Sequence, residues 1–319
     1  MLGFRIRRVP LQAAKEAHMR LRHVVIGMLA SSVGLTPVVL ARQDAHAAHV
    51  GEASRDPGPA TPGPQDEGLP PGEAQAKAAL EKSPRHGEWA DVKLAGSDTR
   101  LRTYVVYPER KEKAPVVIVI HEIFGLSDWV RGVADQLAHD GFIAVAPDLI
   151  SGMGPEGGGT DSLPSRDDVV KTIRGLTPEE TAKRLDAVRE YAIKLPSANG
   201  KSAALGFCWG GSSTFAYATR QPSLDAAIVY YGGAPEAPAL ASIKAPVLGL
   251  YGGEDARVNA TIEPASAEMK KLGKIYEYEI YEGAGHGFLR AQADREGANM
   301  KAAEKAWPRT IAFLRKHTS

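Results

Sequence analysis

Three side chains in the carboxyl-terminal half have types that together could carry out acyl transfer: a thiol, an imidazole and a carboxylate. The thiol is Cys208, the chain's single cysteine, set in Gly206-Phe207-Cys208-Trp209-Gly210-Gly211. Glycines two before and two after a nucleophile relieve the crowding of a sharp strand–turn–helix corner, with Cys here in the place usually held by Ser. A helix starting beside the sulfur would aim N–H groups and a positive dipole end at it, which favours thiolate. The imidazole is His286, flanked by small residues in Glu282-Gly283-Ala284-Gly285-His286-Gly287-Phe288. The carboxylate is Asp255, behind the pair Gly252-Gly253, with Glu254 a direct rival beside it. An acid in that role fixes the imidazole tautomer and stabilises imidazolium. A fourth group is Glu122, in His121-Glu122-Ile123-Phe124-Gly125-Leu126. Two readings of Glu122 stand: a proton acceptor for the Cys208 thiol, or one half of a salt bridge to a structural arginine.

These groups need elements to hold them, and the hydrophobic pattern supplies them. Leu101–Tyr107 alternates and reads as a half-buried strand. Pro115–Ile120 is a β-branched apolar run suited to a central parallel strand. Phe142–Ala146, Ser202–Phe207, Ala226–Tyr231, Pro246–Tyr251 and Ile275–Tyr281 read as further strands. Helices are expected from Ser127 or Asp128 to Ala138, over Pro178–Leu195 with Thr177 as cap, and over Gly210–Arg220. A last helix spans Arg295–Lys316, with a kink or restart at Pro308. Alternating strands and helices argue for an α/β architecture, a doubly wound and mainly parallel sheet with helices on both faces. Ligands then bind outside the carboxyl ends of the strands, where Cys208, Asp255, His286 and Glu122 all fall. Nucleophile, acid, histidine is the chain order of α/β-hydrolases. In that fold the oxyanion donors would be the N–H groups of Trp209 and Ile123. Tyr230-Tyr231, at a strand end, could line the pocket, but core packing is the commoner use of such a pair.

Composition narrows the remaining classes. The chain has 319 residues, 43% of them hydrophobic, and a net charge of +1. That balance carries no whole-chain basic signature for nucleic acid. One cysteine excludes an intramolecular disulfide framework and any cysteine-based zinc cluster. Gly157-Gly158-Gly159 lacks the Lys-Ser/Thr of a phosphate loop, and no metal or organic cofactor is implied. The charge is uneven along the chain: residues 1–47 hold seven Lys/Arg and two acids, which leaves 32 basic and 36 acidic residues in 48–319. Met19–His23 is basic, Val24–Ala41 is mostly apolar, and Ala45-His46-Ala47 offers a small-residue cleavage site. Residues 1–47 therefore read as a secretory signal peptide, with Met19 an alternative start and an uncleaved anchor the competing reading. Export to the periplasm or beyond is expected, with no stable membrane insertion after cleavage. Residues 48–86, rich in Pro and Gly up to Gly72, read as a disordered linker, and 87–319 as the folded domain.

Taken together the motifs resemble the dienelactone hydrolase family (carboxymethylenebutenolidases), of the α/β-hydrolase fold. The matching pieces are His121-Glu122-Ile123-Phe124-Gly125, Gly206-Phe207-Cys208-Trp209-Gly210-Gly211, Tyr251-Gly252-Gly253-Glu254-Asp255 and His286-Gly287-Phe288, spanning Val92 to His317. The resemblance implies a Cys208–His286–Asp255 triad, with Glu122 holding and deprotonating Cys208 when substrate binds. It implies that Arg290 binds a substrate carboxylate. It also implies a second such arginine after the Asp148 strand, where Ser151–Thr177 is Gly-rich and unlike the family; Arg166 and Arg174 both fall there, and Arg166 is the assignment. The family's substrate-binding tyrosine has no clear match. The expected activity is cofactor-free hydrolysis of a small, carboxylate-bearing ester or lactone by a monomer. The alternatives are a broad esterase or thioesterase acting on small esters, and a non-catalytic ligand-binding protein of the same fold.

Overall fold

The computed structural model describes residues 68–319, so the expected signal peptide, 1–47, lies outside the described residues. The chain enters through helix α1 (Glu73–Lys82), followed by strands β1 (Gly87–Lys93), β2 (Arg100–Val106) and β3 (Ala114–Ile120). Helix α2 (Asp128–His139) leads to β4 (Ile143–Pro147), then α3 (Arg166–Arg174) and α4 (Pro178–Ala192). Strand β5 (Ala198–Phe207) runs into α5 (Trp209–Ala218), and β6 (Ala226–Tyr230) into the short α6 (Ala237–Leu240). Strand β7 (Val247–Gly252), α7 (Ala256–Asn259), α8 (Ile262–Lys271), β8 (Tyr276–Tyr281) and α9 (Ala298–Thr318) complete the order.

Of the expected linker over 48–86, residues 48–67 lie outside the described residues, and helix α1 corrects the reading for the rest. Leu69–Gly72 are buried at the entry to the helix, and the helix itself turns one residue inward. Ala76 is fully buried against the side of the domain that also carries α2. A short helix is marginal alone, and burying one face is what holds it. Strand β1, α3 and α8 were also not foreseen. Helix α9 runs through Pro308 as one helix, so the expected restart there does not occur. Caps behave as the residue types dictate: Ser127 caps α2 and Thr177 caps α4, each side chain accepting an N–H from the first turn.

The eight strands form one sheet in the order β1-β2-β4-β3-β5-β6-β7-β8. Strands β1 and β2 pair antiparallel, β2 pairs antiparallel with β4, and every pair from β4 to β8 is parallel. One apolar layer packs α2 and α9 on one face, and another packs α4, α5 and α8 on the opposite face. Strands β4, β6 and β7 are buried throughout, as a sheet covered on both faces requires. The chain passes from β3 out to β4 and then returns across β3 to β5. That reversal opens a crevice at the carboxyl ends of β3 and β5, the place where open α/β sheets bind ligands.

Candidate active site

Register decides what meets at that crevice. Ile120 of β3 stands opposite Gly206 of β5, and Phe207 opposite Tyr230 of β6. Two residues beyond the first pair come Glu122 and Cys208; one beyond the second come Cys208 and Tyr231. On the neighbouring pair, Gly252 of β7 stands opposite Tyr281 of β8, which brings the Asp255 and His286 loops side by side.

Cys208 has φ 55° and ψ −116°, a backbone state that non-glycine residues rarely adopt, and α5 begins at the next residue. The corner is possible because two glycines face each other. A Cβ on Gly206 would lie 2.2 Å from the Gly210 carbonyl oxygen, and one on Gly210 would lie 2.3 Å from the His121 carbonyl oxygen. The second contact presses the start of α5 against the loop that follows β3. Trp209 is the first residue of α5, where an N–H has no carbonyl one turn behind it.

His286 Nδ1 lies 2.5 Å from Asp255 Oδ2, and the same ring interacts with the Cys208 thiol. Burial on its own would lower the imidazole; the hydrogen bonds and charges of Asp255 and Cys208 outweigh it and push His286 up to about 10. Asp255 is 5% exposed. Its burial opposes ionisation, but the bond and charge of His286 overcome that and hold the carboxyl below its ordinary value. The other oxygen, Oδ1, accepts the Val258 N–H at 3.4 Å and so caps α7. One carboxylate oxygen thus fixes the imidazole while the second fixes the carboxylate. Glu254, the rival acid, is exposed and makes no such contact.

Loop 121–126 carries the expected second donor, Ile123. His121 is fully buried and braces it: Nδ1 lies 2.7 Å from the Glu122 carbonyl oxygen, and Nε2 accepts the Leu149 N–H at 3.2 Å. Accepting at Nε2 places the proton on Nδ1, so the ring donates to the Glu122 carbonyl. Burial lowers the His121 value, which keeps the ring neutral in this role. Its ring stacks on Trp209, centroids 5.5 Å apart and planes 18° apart, so the two loops carrying the expected oxyanion donors are tied together.

The Glu122 side chain is 4% exposed and forms an ion pair with Arg290, Nε to Oε2, at 2.8 Å. The N–H does not point along that line, so the contact is electrostatic rather than a hydrogen bond. Burial raises the Glu122 carboxyl; Arg290 and His286 pull it back. Glu122 thus has the arginine of its structural reading, and its charge also acts on His286. Arg290 also contacts Glu73 through Nη1. Arg166 opens α3 and lays its guanidinium over the Phe124 ring, 3.6 Å from the centroid, with Arg290 5.6 Å from the same ring. The two expected arginines thus lie against one aromatic ring. Arg174 closes α3 eight residues later, about 12 Å along the helix.

The Tyr230-Tyr231 pair divides between two roles. Tyr230 turns into the core and bonds Thr310 Oγ1 at 2.7 Å. Tyr231, at φ 39°, packs its ring 5.1 Å from that of His286, and its buried hydroxyl has no hydrogen-bond partner among the described residues. Burial, and then the Glu122 charge, raise its phenol well above the ordinary value. Its position one residue past a buried strand was the available signal. The bracing of His121 by Leu149 and the contact of Glu73 with Arg290 carried none, because those partners are remote in sequence.

The model of the dienelactone hydrolase family matches residues 101–318. A relative from Saccharolobus solfataricus is 32% identical over 247 residues, covering 68% of this chain and 94% of its own. The carboxymethylenebutenolidase of Pseudomonas putida is 31% identical over 210 residues, covering 64% of this chain and 86% of its own. A solved structure from Klebsiella pneumoniae superposes with a TM-score of 0.63 at 26% identity, covering 72% of this chain and 98% of its own.

Proposed function

This chain belongs to the dienelactone hydrolase family and is a carboxylic ester hydrolase, and on that premise we propose that it cleaves a small, carboxylate-bearing ester or lactone through Cys208, His286 and Asp255. The observation that carries the proposal is one chain of contacts. Asp255 holds Nδ1 of His286, and the same ring interacts with a thiol displayed on a strained elbow.

The Cys208 thiol gives its proton to Glu122 or His286, and the sulfur forms a C–S bond to the substrate carbonyl carbon. The carbonyl π pair moves to oxygen, where the Ile123 and Trp209 N–H groups stabilise it; one such donor is typically worth about 3 kcal/mol. The intermediate collapses, the C–O bond to the leaving oxygen breaks, and imidazolium at His286 supplies the proton. Water, deprotonated by His286, then attacks the thioester and releases the acid and the thiolate, which takes its proton back from Glu122 or His286. Glu122 enters when a substrate carboxylate engages Arg290. With its cation shared, the buried carboxylate becomes a stronger proton acceptor beside Cys208. Arg166 is the second carboxylate partner in this reading.

A broad esterase acting on neutral small esters is the second reading. It is favoured by the Gly-rich segment before α3, where the chain departs from the family pattern. The test runs the mature protein and its Cys208→Ala variant side by side on a dienelactone and a neutral aryl ester. Dienelactone turnover lost in the variant is the expected result. Aryl-ester turnover alone, lost in the variant, would move the assignment to the second reading. Undiminished turnover in the variant would end the mechanism. We also propose that the chain is exported to the periplasm or beyond, on the strength of the basic, apolar and small-residue order of its first 47 residues. Amino-terminal sequencing of the exported protein should begin at Ala48, and an intact amino terminus would count against cleavage.

A further inference from the structure

Arg290 meets two carboxylates, and only one of them lies within the family match. Its Nε faces the buried Glu122 and its Nη1 contacts Glu73, which stands ahead of the matched residues 101–318. Glu73 also lies 3.9 Å from Arg166, through its other oxygen. Its carboxylate therefore contacts two guanidiniums that both lie against the Phe124 ring. A carboxylate placed there is in the position that the proposed function gives to the acid group of a substrate.

The placement is built into the chain's entry to the domain. The Glu73 N–H donates to the Arg290 carbonyl oxygen at 3.0 Å. Gln292, buried, donates from Nε2 to the Pro70 carbonyl oxygen at 2.9 Å. Leu69 and Ala76 are buried on either side of these bonds. Residues 69–76 are thus anchored at several points, and Glu73 is presented to Arg290 from a fixed backbone. The side chain is different: Glu73 is 47% exposed and Arg166 51%, against 4% for Glu122. A half-exposed ion pair is weak and screened by water, so an arriving carboxylate can exchange with Glu73 far more readily than with Glu122.

We propose that Glu73 is a specificity-determining residue, an internal carboxylate that occupies the Arg290–Arg166 site and that an anionic substrate must displace. This rests on the reading of those arginines as carboxylate binders. Glu73 opposes anionic substrates twice, by occupying the cations and by like-charge repulsion, and places neither cost on a neutral ester. It tempers a preference for acids that the two arginines would otherwise impose.

The test compares the full chain with its Glu73→Gln and Arg166→Gln variants on two probes, an aryl monoester of succinic acid and the aryl ester of butyric acid. The quantity read is the ratio of kcat/KM, anionic over neutral. Glu73→Gln should raise that ratio about three- to five-fold through a lower KM for the anionic probe, the size expected for loss of an exposed ion pair. Arg166→Gln should lower it. A ratio that stays flat or falls in Glu73→Gln, or both probes changing alike, would overturn the proposal, and if Arg166→Gln still lowers the ratio the arginine reading survives it. A ratio unmoved by either variant would overturn both.

Discussion

Two acid–base arrangements flank Cys208, and they are built on opposite plans. On one side Asp255 serves a single cation. It is buried, one oxygen is spent on His286 and the other on the cap of α7. On the other side Arg290 is shared between a buried acid and a half-exposed one, with Arg166 beside them. A group with one partner and a second anchor keeps its place through a reaction. A cation divided between two carboxylates can change partners when a third arrives. The first plan suits a proton relay whose geometry must not move, and the second suits recognition of a charged ligand.

That contrast can be broken. Asp255→Asn should lower kcat about ten-thousand-fold, because it removes the acceptor that fixes the His286 tautomer. Glu122→Gln should cost less, about a hundredfold, the lower end of what a general base supplies. Steady-state kinetics on one neutral ester compares the two directly, and equal losses would erase the distinction between the fixed side and the exchangeable one. Arg290→Lys should act on binding instead, raising KM for an anionic ester about tenfold, since a point charge cannot reproduce a guanidinium fork shared by two acids. A fall in kcat with KM unmoved would place Arg290 on the wrong side of the comparison.

The smallest effect is on stability. His286 titrates above its ordinary 6.5, at about 10, so its contribution is full below pH 6.5 and is lost as pH rises through about 10. Asp255 titrates below its ordinary 3.8, so its contribution is present above that value and lost as pH falls through the lowered one. The pair should therefore stabilise most between about 3.8 and 6.5. The gap in Tm between the wild type and Asp255→Asn should be widest there and close toward pH 10 or above. It should reach on the order of a degree or two, because the His286 ring is partly open to water. A gap constant across that range would show that the two groups are not coupled as the geometry implies.

Much of this was legible in the residues. The apolar runs located seven of the eight strands, and the glycines around Cys208 and before Asp255 marked strand ends. These signals are local: a strand that is buried on both faces must be apolar, and a tight corner must lack a Cβ. The missed elements fail for the same reason. Strand β1 buries only Val92 among its seven residues, so it shows almost no alternation. Helix α1 is made of strong helix formers but buries only Ala76, so no apolar stripe sets it apart from a solvated segment. The choice between Glu254 and Asp255 was also open in the sequence, since adjacent acids differ only in which way the loop turns them.

What the sequence by itself determined was the set of reactive groups and their order along the sheet, because strand ends and elbows are written in neighbouring residues. The tertiary structure alone decided which acid faces His286, that His121 braces the loop carrying Ile123, and that Arg290 is divided between Glu122 and Glu73. Those contacts join residues 31, 28 and 217 positions apart. Their partners are set by how the crossovers return over the sheet and where α1 docks, and that packing is a property of the whole chain rather than of any one segment.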